Sequence, residues 1–336
     1  MSDWLPPGLF AYGAELAAAL DRRLGRSLVG DGASWIDMPR RLGTADVPSE
    51  PVPWGEGALC IDLGPDDTAT WERFVEVHWH EPDPESIAVA AQEWRLPVTP
   101  YRRLPGEPAQ PVGISQGAGQ PATSRIDGVS VVDLTSMWAG PLCTELLGRA
   151  GAEILKITSD TRPDGLTGSP MYAELNEHKT MRRLDLRQQA ARESLDARLG
   201  SADLLVTSLS PRALANLELL PQQLCARHPH LRTLAITAFG PDAPEREWIA
   251  YGTGVHAASG LGWLADEPQA PAYSYPDPLA GLQAACSAVD QLSGAAPQHT
   301  RVSLAGAVAP LASRAAGSCA GVVSAPAAGS GGDRHG

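Results

Sequence analysis

Tyr251, His256 and Asp277 are side chains whose types and spacing could carry out chemistry. An imidazole at His256 could act as a general base near neutral pH, since its ordinary pKa lies close to that value. A hydrogen-bonded structural histidine is the plainer alternative. If Gly252 to Gly260 is helical, His256 projects from the same face as Gly252. Asp277 precedes the Ala-rich stretch Leu279 to Leu292 and reads as that helix's N-cap, with acid/base work as the other option. The Tyr251 hydroxyl could orient a carbonyl, or the ring could simply pack.

The turn Ala139-Gly140-Pro141 offers chemistry of a different kind. Before it, Val129, Val131, Val132 and Leu134 read as a buried strand rich in β-branched residues. After it, Leu142, Leu146, Leu147 and Ala150 recur at helical spacing, and Pro141 suits the first helical turn. Gly151 stops the helix, and Ala152 to Ile157 returns as a strand. Such a β-turn-α-β unit presents backbone N–H groups and a positive dipole end to an anionic ligand. Many α/β folds contain the unit with nothing bound.

These residues need an α/β framework to hold them. From Ile126 to about Gly240, apolar strands alternate with helical stretches, as in an open parallel sheet. Leu214 to Arg227 reads as one core-facing helix, carrying Leu217, Leu219, Leu220 and Leu224. Ahead of that region, Leu16 to Leu24 suggests a helix and Gly57 to Leu63 a strand. Pro65-Asp66-Asp67 reads as a helix start, and Glu85 to Trp94 as a helix ending before the extended Leu96-Pro97-Val98. Residues 110–125, rich in Gly, Pro, Ser, Ala and Gln, read as a linker. The expected division is an N-terminal region over 1–109, the linker, a Rossmann-like domain over 126–245, a continuation with the candidate site over 246–315, and a disordered Ala/Gly/Ser tail over 316–336.

The chain has 336 residues, enough for one large or two ordinary domains, and its 43% hydrophobic and 19% charged content is ordinary for a globular protein. A net charge of −13 argues against a nucleic-acid partner, although a local basic cluster could still hold a phosphate-bearing small ligand. Cys60, Cys143, Cys225, Cys286 and Cys319 are scattered without metal-ligand spacing, which suggests buried thiols in a reducing cytoplasm and no metal site. No N-terminal charged-then-apolar pattern and no run of eighteen apolar residues occurs, so neither secretion nor a membrane partner is expected. No G-x-G-x-x-G follows a strand, so NAD is not expected.

Residues 133–157, DLTSMWAGPLCTELLGRAGAEILKI, resemble the opening of the class III CoA-transferases (CaiB/BaiF type). Further matches follow in order at Leu175-Asn176 to Lys179, Leu184 to Arg187, Ala202 to Val206 and Ile236 to Pro241. The resemblance implies a Rossmann-like open parallel sheet with a smaller α+β portion. Residues 57–98 are similar to the family's C-terminal part but stand in front, which implies a permuted segment order. The family's reaction is implied to begin when a carboxylate attacks an acyl-CoA thioester and forms an acyl-aspartyl anhydride.

The segment Tyr251 to Gly260 is similar to the one expected to carry that aspartate, and Gly252 stands in its place. Asp277 matches a second aspartate that serves acid/base work in the racemase branch. The resemblance further implies that Met137, Trp138, Ala139, Gly140 and Pro141 approach the pantetheine, with Lys156, Arg162, Lys179, Arg182 and Arg183 candidates for the phosphates. The expectation is therefore a transferase-like enzyme on acyl-CoA or coenzyme A as substrate, without the anhydride route, in an interlocked homodimer. Two alternatives stand beside it: an acid/base enzyme (racemase, lyase or cyclising enzyme) using His256 and Asp277, and a catalytically silent partner of an active homologue.

Overall fold

The computed structural model describes residues 3–44, 48–64, 66–104, 126–161 and 163–322, with side chains through residue 317. The linker read over 110–125 lies outside these residues, as does Arg162. In chain order the first elements are α1 (Leu9–Leu24), α2 (Ala33–Ile36), α3 (Met38–Leu42), β1 (Val52–Trp54), β2 (Gly57–Ile61), α4 (Thr68–His78), α5 (Pro84–Glu93) and β3 (Val98–Pro100). Then come β4 (Ser130–Leu134), α6 (Ala139–Arg149), β5 (Glu153–Thr158), α7 (Pro170–Glu174), β6 (Lys179–Arg183), α8 (Gln189–Leu199) and β7 (Leu204–Thr207). The last are α9 (Pro211–Asn216), α10 (Pro221–Arg227), β8 (Arg232–Thr237), α11 (Gly252–Ala258), α12 (Pro276–Leu292), β9 (His299–Ser303) and α13 (Leu304–Val322).

The larger sheet has six parallel strands in the order β6-β5-β4-β7-β8-β9. The order reverses between β4 and β7, and in open α/β sheets the crevice beyond the carboxyl ends of strands at such a reversal is where ligands settle. Buried residues of α1, α6 and α12 cover one face of the sheet, with Leu142, Leu146, Leu279 and Leu282 in the same cluster as Val131, Leu204 and Leu234. On the opposite face, Leu195, Leu199, Leu214 and Leu224 pack against Val132 and Leu205. Alternate residues of β4, Val131 and Val132, thus feed two separate cores, as a strand covered on both sides must.

The smaller sheet, β1-β2-β3, is antiparallel. The permuted segment order implies that residues 85–98 pack on the large sheet, but they pack here instead: Ile87, Ala88 and Ala91 of α5 share a core with Leu59, Phe74, Leu96 and Val98. The short connection to β3 explains this, because α5 runs straight into the strand it covers. This sheet also braces α11. Thr99 Oγ1 donates to the Gly254 carbonyl (3.2 Å), Arg102 N–H donates to the Ala257 carbonyl (3.1 Å), and Thr253 hydrogen-bonds to Asp62.

Other sequence readings need adjustment. The single helix expected over 214–227 is two, α9 and α10, because Glu218 adopts a left-handed φ of 57° and Pro221 restarts the chain at a new first turn. The first helix begins at Leu9, well before Leu16. The tail expected from residue 316 begins as helix, since α13 runs to Val322; its Ala content favours helix over coil.

Candidate active site

A cavity of about 460 Å³ opens beyond the end of β4. Met137 and Trp138 form one wall, Gly165 to Thr167 and Ser169 to Met171 a second, and Tyr251, Ser274 and Asp277 a third. Gly43 and Thr44, from the end of α3, complete the lining.

Close helix packing brings Asp277 to Trp138. At Gly281, one turn into α12, an added Cβ would lie 2.8 Å from the Ala139 carbonyl oxygen and 3.0 Å from the Leu142 Cβ, so only glycine lets α12 approach α6 so closely. Gly140 is equally tight, since a Cβ there would stand 2.7 Å from Thr135 Oγ1. Asp277 is not the N-cap expected of it. Pro276 opens α12, and the carboxylate lies in the first turn, where the positive end of the dipole suits it.

The neighbourhood of Gly252 is crowded. A Cβ there would fall inside contact distance of Asp277 Oδ2, and 2.9 Å from the Ser274 Cβ. The Asp277 carboxylate therefore lies where a side chain at residue 252 would begin. Two residues 25 positions apart in sequence thus meet, and of the two Asp277 lines the cavity.

His256 does not join them. It is wholly buried and does not line the cavity. Nδ1 lies 3.0 Å from the Tyr275 hydroxyl and Nε2 2.8 Å from the Gln269 carbonyl oxygen, with Trp4, Tyr101 and Tyr275 rings around it. Burial pushes its pKa down to about 4 against the pull of the Gln269 carbonyl. Both nitrogens are engaged away from the cavity, so the general-base reading loses its geometry. The face shared with Gly252 turned inward because α11 is buried over Gly252 to Ala257. Tyr251, by contrast, is 41% exposed at the cavity's edge.

The basic candidates separate in a similar way. Lys179 is completely buried, donating to Asp133 Oδ2 (3.2 Å) and to the Pro141 carbonyl (2.9 Å). Burial pushes its ammonium down to about 8 against the attraction of Asp133. Asp133 also accepts from Thr135 N (2.8 Å), Thr135 Oγ1 (2.6 Å) and Thr144 Oγ1 (2.6 Å). Burial raises its pKa, but the Lys179 and Lys156 charges outweigh that and hold the carboxyl below its usual range. Lys156 is 1% exposed and paired with Asp164. Neither lysine is available to a phosphate, because each is buried and committed to a buried carboxylate. Arg183 is exposed beside Asp160 (3.5 Å) and does not line the cavity. Of the turn residues, Met137 and Trp138 line the cavity, whereas Ala139, Gly140 and Pro141 lie behind it as the buried first turn of α6.

Sequence reasoning missed Gly43, Thr44, the 165–171 loop and Ser274. The signal at Ser274 was its place just before Asp277; the others carried none. Among the described residues Glu145, Glu177 and His178 gather ligand atoms within 4.8 Å of one another. The Arg149 guanidinium, however, donates to both glutamates (2.9 and 3.1 Å) and takes the place a cation would need.

Residues 126–335 match the family model for CoA-transferase family III. The chain belongs to that family. This CoA-transferase family III chain is 30% identical over 183 residues to formyl-CoA:oxalate CoA-transferase of Rhodopseudomonas palustris (strain HaA2), covering 51% of the chain and 43% of that relative. It is 29% identical over 176 residues to the succinyl-CoA–L-malate CoA-transferase alpha subunit of Chloroflexus aurantiacus, covering 48% and 40%. It thus spans about two-fifths of the length of these relatives. In fold it is similar to a CaiB/BaiF family protein from Brucella suis, with a TM-score of 0.52 at 22% identity, over 60% of this chain and 59% of that one. The six-stranded parallel sheet and the candidate cavity wall at Met137–Trp138 both fall inside the matched residues, whereas Gly43 and Thr44 fall outside them.

Proposed function

We propose that this chain acts on an acyl-CoA thioester and that Asp277 supplies the carboxylate that receives the acyl group. The observation that carries the reading is the Asp277 carboxylate lying against Gly252, in a cavity walled by the Met137–Trp138 turn. Reading the sequence alone put the nucleophile at position 252 and found glycine there; the fold supports a carboxylate in the same space, delivered from α12. The anhydride route is therefore retained in this proposal. An Asp277 oxygen attacks the thioester carbonyl carbon, the C–S bond breaks, coenzyme A leaves as thiolate, and a mixed anhydride remains on the aspartate. The thiolate then attacks the aspartyl carbonyl carbon of that anhydride, so the donor acid leaves as carboxylate and Asp277 carries coenzyme A as a thioester. An acceptor carboxylate displaces the thiolate to form a new anhydride on Asp277, and the thiolate attacks the acceptor's carbonyl carbon to release the new acyl-CoA and free Asp277. His256 takes a structural role, and Tyr251 edges the acyl site.

Coenzyme A and its acyl thioesters are substrates in this reading. The assembly we propose is a homodimer, for which light scattering giving a monomer at micromolar concentration would be contrary. A reducing cytoplasmic setting fits the free thiols of Cys60, Cys143, Cys225 and Cys286. The deciding assay is mass spectrometry after incubation with an acyl-CoA and hydroxylamine trapping. Modification of Asp277 is expected, and it should vanish in Asp277→Asn. Exchange of the substrate's α-proton in heavy water without any adduct would favour the acid/base alternative instead.

A further inference from the structure

One wall of the cavity is held from behind by charges that line no part of it. Lys156, in β5, stands beside Asp133 of β4 in the parallel ladder. Its ammonium has no hydrogen-bond partner among the described residues, and its nearest anion is Asp164 Oδ2 at 3.5 Å. The Tyr172 ring lies on another side, 5.6 Å from the ammonium to its centroid. Asp164, 7% exposed, turns its carboxylate the other way as well. It accepts from the Met137 N–H at 3.2 Å and from the Leu166 N–H at 3.0 Å. Both of those residues line the cavity.

Met137 has an unusual backbone. Its φ is +66°, a left-handed conformation that costs a side chain bearing a Cβ and that glycine adopts readily. The side chain then lies over Gly165, where an added Cβ would stand 2.8 Å from the Met137 sulfur. A strained residue of this kind persists only where its surroundings hold it. Here the holding group is one buried carboxylate, and the group facing that carboxylate is one buried lysine. A buried ammonium without hydrogen bonds adds little to stability, so its place is better explained by what it holds.

We propose that the Lys156–Asp164 pair is a latch that keeps Met137 left-handed and docks the 164–167 loop against it, which makes both residues positioning residues for the acyl-CoA cavity. The pair does not touch substrate. It sets the separation of two cavity walls, and the Trp138 wall follows because it is the next residue in the chain. The ligand half of this inference rests on the acyl-CoA reading above; the backbone half does not.

The test uses the full chain. In Asp164→Ala the Met137 and Leu166 amides lose a charged acceptor, and hydrogen bonds of that class shift equilibria by roughly ten- to a hundredfold. Hydrogen exchange at those two amides should accelerate by about that factor, while amides of Val132 and Leu205 in the sheet keep their protection. Asp164→Asn, which retains an acceptor oxygen, should recover part of the protection. Met137→Gly in the Asp164→Ala background should recover coenzyme A affinity, measured by calorimetry, because glycine enters the left-handed region without help. Lys156→Met is expected to follow Asp164→Ala in exchange; if it does not fold, the Asp164 variants decide. Unchanged exchange at Met137 and Leu166 in Asp164→Ala would overturn the latch, as would the absence of any recovery in the double variant when the wild type binds coenzyme A. Wild-type protein that does not bind coenzyme A would count against the functional reading, while the exchange data would still judge the latch.

Discussion

Replacing Gly252 with alanine asks whether the Asp277 carboxylate must lie where it does. A Cβ at residue 252 would overlap Asp277 Oδ2 and stand 2.9 Å from the Ser274 Cβ and 3.2 Å from the Ser274 carbonyl oxygen. The carboxylate is the far end of a rotatable side chain, so it can swing aside, and Ser274 need yield by only a few tenths of an ångström. The stability cost should thus fall at the low end for overpacking, about 1 kcal/mol. In a chain of this size that is a fall in Tm of roughly 1–2 °C. Catalysis is less forgiving, because moving a reacting group by about 1 Å costs on the order of a hundredfold in rate. Gly252→Ala should therefore melt almost normally and turn over acyl-CoA about a hundredfold more slowly, read by calorimetry and a thiol-release assay on one preparation. Gly252→Asp, which installs the carboxylate that sequence comparison expected, should be slower still, because two adjacent carboxylates disfavour each other's ionised forms. Wild-type turnover in Gly252→Ala would refute the argument, and a gain in Gly252→Asp would return the chemistry to that position.

Other outcomes follow from the buried groups and the cavity wall. His256 has a folded pKa of about 4 against an ordinary 6.5, so the unfolded chain binds the extra proton between those values. Its contribution, roughly 3 kcal/mol, is complete above pH 6.5 and is lost as pH falls through about 4; His256→Gln should flatten that slope in chemical denaturation without a specific loss of turnover per folded molecule. Lys179→Met strips the buried Asp133 carboxylate of its hydrogen-bonded cation and should cost about 3–5 kcal/mol in urea unfolding, whereas normal stability with weak coenzyme A binding would restore the lysine to a phosphate role. Thr44→Trp should fill part of the cavity from a wall outside the family-matched residues and raise KM for acyl-CoA with little change in Tm; an unchanged KM would show that this wall does not meet the substrate.

The sequence by itself determined what short-range pattern can encode. Val129 to Leu134, the Ala139-Gly140-Pro141 turn and the Leu142–Ala150 spacing specify strand, turn and helix from neighbours alone. The ordered matches through Pro241 specify the family. Tertiary structure decided which way those elements face. His256 carries the same periodicity whether its face meets a cavity or a core, and only the small sheet, Tyr275 and Gln269 turn it inward. Lys156 and Lys179 look like solvent-facing phosphate ligands until the sheet sets Lys156 beside Asp133 and brings the Lys179 ammonium to its carboxylate. Gly43 and Thr44 carry no signal, because their importance comes from where α3 ends in space. Asp277 was legible as a residue of interest, yet its relation to Gly252 was not. Contacts between residues far apart in sequence depend on how closely two segments approach, and here Asp277 and Ser274 come so near residue 252 only because Gly252 has no side chain.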